Sequence, residues 1–67
     1  MAVIKTIDLV GVSGKSWQDA AECALEEASK TLRGVEGMTV LDQTAIVEDG
    51  KVTEFQTHVQ IRFRISR

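Results

Sequence analysis

The longest regular pattern in the chain runs from Val52 to Ile65. From Phe55 onward the odd positions are Phe55, Thr57, Val59, Ile61, Phe63 and Ile65, while the even ones are Gln56, His58, Gln60, Arg62 and Arg64. A period of two sustained over this length predicts a long antiparallel strand, with one face wanting a hydrophobic cover and the other carrying polar heads on long stems. Val3 to Val10 also reads as a strand, broken by Gly11-Val12-Ser13-Gly14. Its alternation is imperfect: Ile4 and Val10 fall on one side and Val3, Ile7 and Leu9 on the other, so both faces ask for partial cover.

Between these strands the period lengthens. Ser16 is placed to accept a first-turn N–H and Asp19 to reach back, a variant of the capping box, and Asp19 and Glu22 suit the positive end of a helix dipole. Ala20, Ala21, Ala24, Leu25, Ala28 and Leu32 then form one stripe, small enough for the helix to lie close to a sheet. Lys30 and Arg33 fall in the expected last turn, and Gly34 is expected to end the helix as its left-handed C′ residue. Trp17 at the helix start reads as a packing anchor and Cys23 as a small packing residue.

Gly37 to Glu48 is predicted as a second strand, closed onto the last one by Asp49-Gly50, the pair suited to a type I′ turn. Counting back from that turn without a bulge, Val47 faces Val52, Gln43 faces Gln56, Val40 faces Val59 and Met38 faces Ile61. Met38, Val40 and Ile46 then share the Phe55 face, and Gln43 shares the Gln56 face. The order is strand-helix-strand-strand, an α+β fold over residues 1–67 as one domain. One helix lies across one face of a three-stranded antiparallel sheet, with the first strand most simply beside the last.

Length changes this picture. A chain of 67 residues buries only about 60% of its unfolded surface, so it needs a staple. Cys23 has no second cysteine to pair with, and one Cys with one His58 falls short of a structural zinc site. Self-association is the staple left. The formal net charge of −2 argues against nucleic acid, since no basic excess is present to neutralise phosphates. Arg62, Arg64 and Arg67 cluster at the C-terminal end and read as a solvated or salt-bridged strand end. No apolar run is long enough for a membrane span and no cleavage-type leader is visible, so the protein is expected to be cytoplasmic. No phosphate-binding glycine loop, nucleophile elbow or second histidine is present, and His58 reads as a surface or interface residue, so an enzyme is not expected.

Ile7-Asp8-Leu9-Val10-Gly11, Ser16-Trp17-Gln18-Asp19-Ala20-Ala21, Ala28-Ser29-Lys30-Thr31-Leu32-Arg33, Val47-Glu48-Asp49-Gly50-Lys51-Val52 and Val59-Gln60-Ile61-Arg62-Phe63, taken in order over nearly the whole chain, resemble the dodecins. The resemblance implies a sheet wrapped around the helix and a homododecamer closed into a hollow shell. It also implies a flavin ligand of the FMN, riboflavin or lumichrome type, stored or sequestered without redox turnover; the alternative is a shell that does not bind flavin and instead binds a divalent cation or coenzyme A at its symmetry axes, as some bacterial members are described as doing for coenzyme A, or serves a structural role. In flavin-binding members paired rings stack between tryptophans while a glutamine on the last strand bonds the ring's polar edge. Gln56 matches that glutamine. The tryptophan does not carry over, because Gly37 stands at its position and Trp17 belongs to a separate motif. Met38 is the neighbouring candidate to line the ring, and Val3 and Lys5 match ligand-lining positions of the first strand.

Overall fold

The structure is a computed structural model and describes residues 2–65. Strand β1 (Val3–Ser13), helix α1 (Trp17–Ser29), strand β2 (Val35–Glu48) and strand β3 (Lys51–Ile65) follow one another. The sheet order is β1-β3-β2, antiparallel throughout, so the long last strand is central. Because paired residues share a face, the odd residues of β3 point with Ile7 and Leu9 toward α1, and the even ones point to an open face with Thr6, Asp8, Val10 and Val12.

Gly11 does not break β1, which continues to Ser13. It sits beneath the helix, and a Cβ there would lie 1.8 Å from the Ala20 carbonyl oxygen and 3.2 Å from Ala24 Cβ. The glycine and the alanine stripe act together, letting helix backbone rest on strand backbone. The buried apolar residues are Ala20, Ala21, Ala24, Ala28, Val59 and Ile61, flanked by Ile7, Leu9, Leu25, Leu32, Val35 and Met38. Buried Thr57 is satisfied, its Oγ1 donating to the Trp17 carbonyl at 2.8 Å. Cys23 is exposed and packs into none of this, because it lies off the 20-21-24-28 stripe.

The helix opens as expected, with Asp19 N donating to Ser16 Oγ at 3.0 Å. The Asp19 carboxylate does not reach back to Ser16; it accepts from Ser13 Oγ at 2.6 Å and so ties the end of β1 to the helix. The other end differs from expectation. α1 stops at Ser29 with Lys30 as a right-handed cap, because the last turn tightens through Lys30 N to Glu27 O and Thr31 N to Ala28 O bonds. No basic residue lies in the last turn. Lys30 instead pairs with Glu27 at 3.1 Å, whose hydrogen bond and charge raise its pKa. Gly34 does have positive φ, but it opens β2, its carbonyl accepting from Arg64 N at 3.0 Å.

The β2–β3 turn has Asp49 at φ 52° and Gly50 at φ 76°, as a type I′ turn requires. Val47 meets Val52, Val40 meets Val59 and Met38 meets Ile61 as counted, yet Gln43 meets Thr57 and Ile46 meets Glu54. Two bulges explain both observations. The register slips between Ile46 and Val47, where Thr53 is the extra residue, and slips back between Val40 and Asp42, where Leu41 is extra. Gln43 therefore joins the helix face and Ile46 the open face, the reverse of the bulge-free expectation.

A 13-residue helix is about 20 Å long, against a molecule 52 Å in its longest dimension. It lies on β1 and β3 and leaves much of β2 bare. Val47 and Val52 at the hairpin tip are 58% and 51% exposed, and Val10 on the open face is 56% exposed. These apolar surfaces fit the self-association that the chain length calls for.

Candidate functional site

The open face holds most of the chain's unexplained polar chemistry. Along β3 it carries Gln56, His58, Gln60, Arg62 and Arg64, bordered by Thr44, Asp42, Thr39 and Gly37 of β2 and by Val12, Val10, Asp8, Thr6 and Ile4 of β1. Gln56, His58, Gln60 and Arg62 are half-buried even though nothing covers the sheet there, because each stem lies along its cross-strand neighbours. Gln56 Nε2 donates to Glu54 Oε2 at 2.8 Å, which leaves the Gln56 carbonyl oxygen and its other N–H for a partner. His58 Nε2 lies 3.4 Å from Asp8 Oδ2, and Asp42 stands directly across from His58 on β2. Arg64 is gripped by Glu36 through two contacts, Nε to Oε2 at 2.9 Å and Nη2 to Oε1 at 3.3 Å. Arg67, grouped with these arginines in the sequence, lies outside the described residues.

The five residues singled out from the sequence fall in three places. Gln56 is on the open face between Val12 and Thr44. Gly37 is on the same face opposite Arg62, six residues along β3 and so about 20 Å away. Met38, opposite buried Ile61, points to the helix side and packs on the core. It also lines a groove of about 360 Å³ with Leu25, Ser29, Val35, Glu36 and Gly37, where α1 leaves β2 uncovered. Val3 and Lys5 pair with Ile65 and Phe63 and also belong to the helix side, near the same end of the sheet. One chain therefore does not bring Gln56 and Gly37 into a single pocket.

Trp17 is accounted for within the subunit. Its Nε1 donates to the Thr44 carbonyl at 3.1 Å, and its ring meets Phe55 edge-on with centroids 4.9 Å apart and planes at 74°. It anchors the start of α1 over the β2–β3 ladder, the packing role its position predicts. Among the described residues no phenyl or indole ring stands on the open face.

The family model described as Dodecin matches residues 3–66. The chain belongs to the dodecin family. The dodecin of Thermus thermophilus is 32% identical over 63 residues, 94% of this chain and 91% of that protein. A protein of Mycobacterium tuberculosis named calcium dodecin is 30% identical over 66 residues, covering 97% of this chain and 92% of its own length. Crystal structures agree: an arginine-to-alanine variant of the T. thermophilus dodecin superposes with a TM-score of 0.93 at 30% identity over the whole of both chains. The dodecin of Streptomyces coelicolor superposes at 0.92 with 27% identity, over 98% of this chain and 94% of that one. The β-α-β-β order, with its three-stranded antiparallel sheet and single helix, is thus the dodecin fold. Among the described residues no helix is long and apolar enough to cross a membrane.

Proposed function

We propose that this dodecin is the subunit of a homododecameric shell that binds and sequesters flavins of the FMN and riboflavin class on the open face of its sheet. The observation that carries the reading is Gln56, half-buried on that face with its amide turned by Glu54 so that an acceptor oxygen is left over. A flat heterocycle with alternating donors and acceptors along one edge is the kind of ligand such an amide reads. The 20 Å between Gln56 and Gly37 makes the site a product of assembly, with ring and edge contacts drawn from different copies. Purified protein should carry yellow colour with absorbance near 450 nm, or acquire it on adding riboflavin. A dodecameric particle that stays colourless and leaves riboflavin fluorescence unchanged at micromolar protein refutes the reading.

A second reading has its own observation. Asp8 and Asp42 flank His58 on the same face, and one relative is named calcium dodecin. Among the described residues no three His, Cys, Asp or Glu side chains of one chain are placed to hold a metal, so such a site would be completed by neighbouring copies. Equilibrium dialysis against Ca²⁺ separates the two readings: uptake by colourless protein, abolished by Asp8→Asn, supports the cation, and its absence removes it.

A further inference from the structure

We infer that Arg62 supplies the flat surface on which the ligand's ring stacks, in the place that Gly37 leaves open. This inference rests on the flavin reading above and adds the residue that holds the ring. Arg62 stands on the central strand between Thr6 of β1 and Gly37 of β2. A Cβ built on Gly37 would lie 3.5 Å from Arg62 Cδ but 3.8 Å from Arg62 Cβ. The far part of the stem is thus the nearer part, so the side chain leans across the glycine. Any larger residue at position 37 would share that space. The pair is complementary, one strand contributing no side chain and the other a long one that covers the gap.

The guanidinium is also uncommitted. Arg62 makes no ion pair or side-chain hydrogen bond among the described residues, whereas its neighbour Arg64 is held by Glu36. Among the described residues no half-buried side chain has a buried nitrogen or oxygen without a partner, so the Arg62 nitrogens reach solvent. Of the other flat groups on this face, His58 lies against Asp8 and the Gln56 amide is tied to Glu54, while the Gln60 amide, two residues along β3 and opposite Thr39, has no glycine beside it. An arginine plane is delocalised and weakly hydrated, and it stacks on π systems where a lysine ammonium, a compact point charge, does not. A glycine beneath the stem and no carboxylate beside the head are what such a stacking plane requires. The ligand class selected is a fused, conjugated, flat ring, with Gln56 of a second copy at its edge.

The test uses riboflavin and FMN titrations followed by fluorescence quenching, with size-exclusion chromatography confirming that each variant assembles like the parent. Arg62→Ala should weaken riboflavin binding by roughly tenfold. Arg62→Lys, which keeps the charge and most of the stem, should lose nearly as much, and it serves alone if the alanine variant fails to assemble. Both losses should be equal for riboflavin and FMN. In a Gly37→Trp background the indole takes over the ring, so Arg62→Ala should then cost less than about threefold. Parental affinity in Arg62→Lys would show that charge and not the plane matters, and a loss confined to FMN would assign Arg62 to the phosphate; either overturns the inference while the flavin reading stands. Unaltered affinity in both arginine variants does the same. If neither the parent nor Gly37→Trp binds flavin, the flavin reading falls and the role of Arg62 falls with it.

Discussion

Replacing Gly11 by alanine adds one methyl group at the point where helix and sheet are closest. The new carbon would lie 1.8 Å from the Ala20 carbonyl oxygen, 2.7 Å from its carbon and 3.2 Å from Ala24 Cβ. Two of these neighbours are backbone atoms, which have no rotamer to change. The helix must therefore rise by more than about 1 Å, and a radial gap of that size forfeits at least about half of each dispersion well across the interface. That interface is most of the core, since Ala20, Ala21, Ala24 and Ala28 meet Val59 and Ile61 through it. Overpacking alone costs about 1–3 kcal/mol; with the opened contacts we expect about 2–4 kcal/mol. At about 4–8 °C per kcal/mol for a domain of this size, Tm should fall by roughly 8–32 °C. Circular dichroism melts are the assay, with Gly14→Ala as the control because a Cβ there meets nothing within 4 Å. Equal melting of the two variants would mean that the helix does not rest on Gly11, and the account of the core given above would be wrong.

Gly50→Val places a β-branched side chain at φ 76° in the hairpin turn and should cost about 1–2 kcal/mol or more, seen as a lower urea midpoint; an unchanged midpoint would exclude the type I′ turn. Trp17→Phe removes the donor to the Thr44 carbonyl while keeping an aromatic ring near Phe55. It should cost about 0.5–1.5 kcal/mol, and no measurable change in denaturation would show that bond to be idle. Gly37→Trp should tighten riboflavin binding by about tenfold, and Gln56→Ala in that background should weaken it again as the ring edge loses its partner. Tightening that survives the loss of Gln56 would move the edge contact to another residue.

How far these features could be read from the sequence depends on the range of the interactions behind them. The N-cap at Ser16, the Asp49-Gly50 turn and the alternation of β3 are local, and each stands in the structure where the sequence places it. The helix end was less legible. Leu32 continues the apolar spacing but reaches the core from beyond the last turn, so periodicity carries the helix past its true end at Ser29. Gly11 reads as a break from sequence because a glycine in a strand can mark either a break or a close approach, and only the facing helix decides between them. The alanines at positions 20 and 24 were the available signal, since a stripe of small residues on a helix invites a matching glycine on the sheet.

The bulges had the opposite effect on the functional face. Nothing in the local sequence at Thr53 or Leu41 announces an extra residue, so a bulge-free count puts Gln43 and Ile46 on the wrong sides. Because the two slips cancel, the pairing from Val40 back to Gly37 matches the count made from the turn. Met38 opposite Ile61 implies Gly37 opposite Arg62, so the juxtaposition behind the stacking inference was already present in the predicted register. What the sequence could not show is that the Arg62 stem leans over the glycine with its head free of any carboxylate, a matter of side-chain direction and charge placement across three strands. On the stacking inference, the departure at Gly37 and the arginine facing it form one feature of the chain, in which a missing ring is answered from the neighbouring strand.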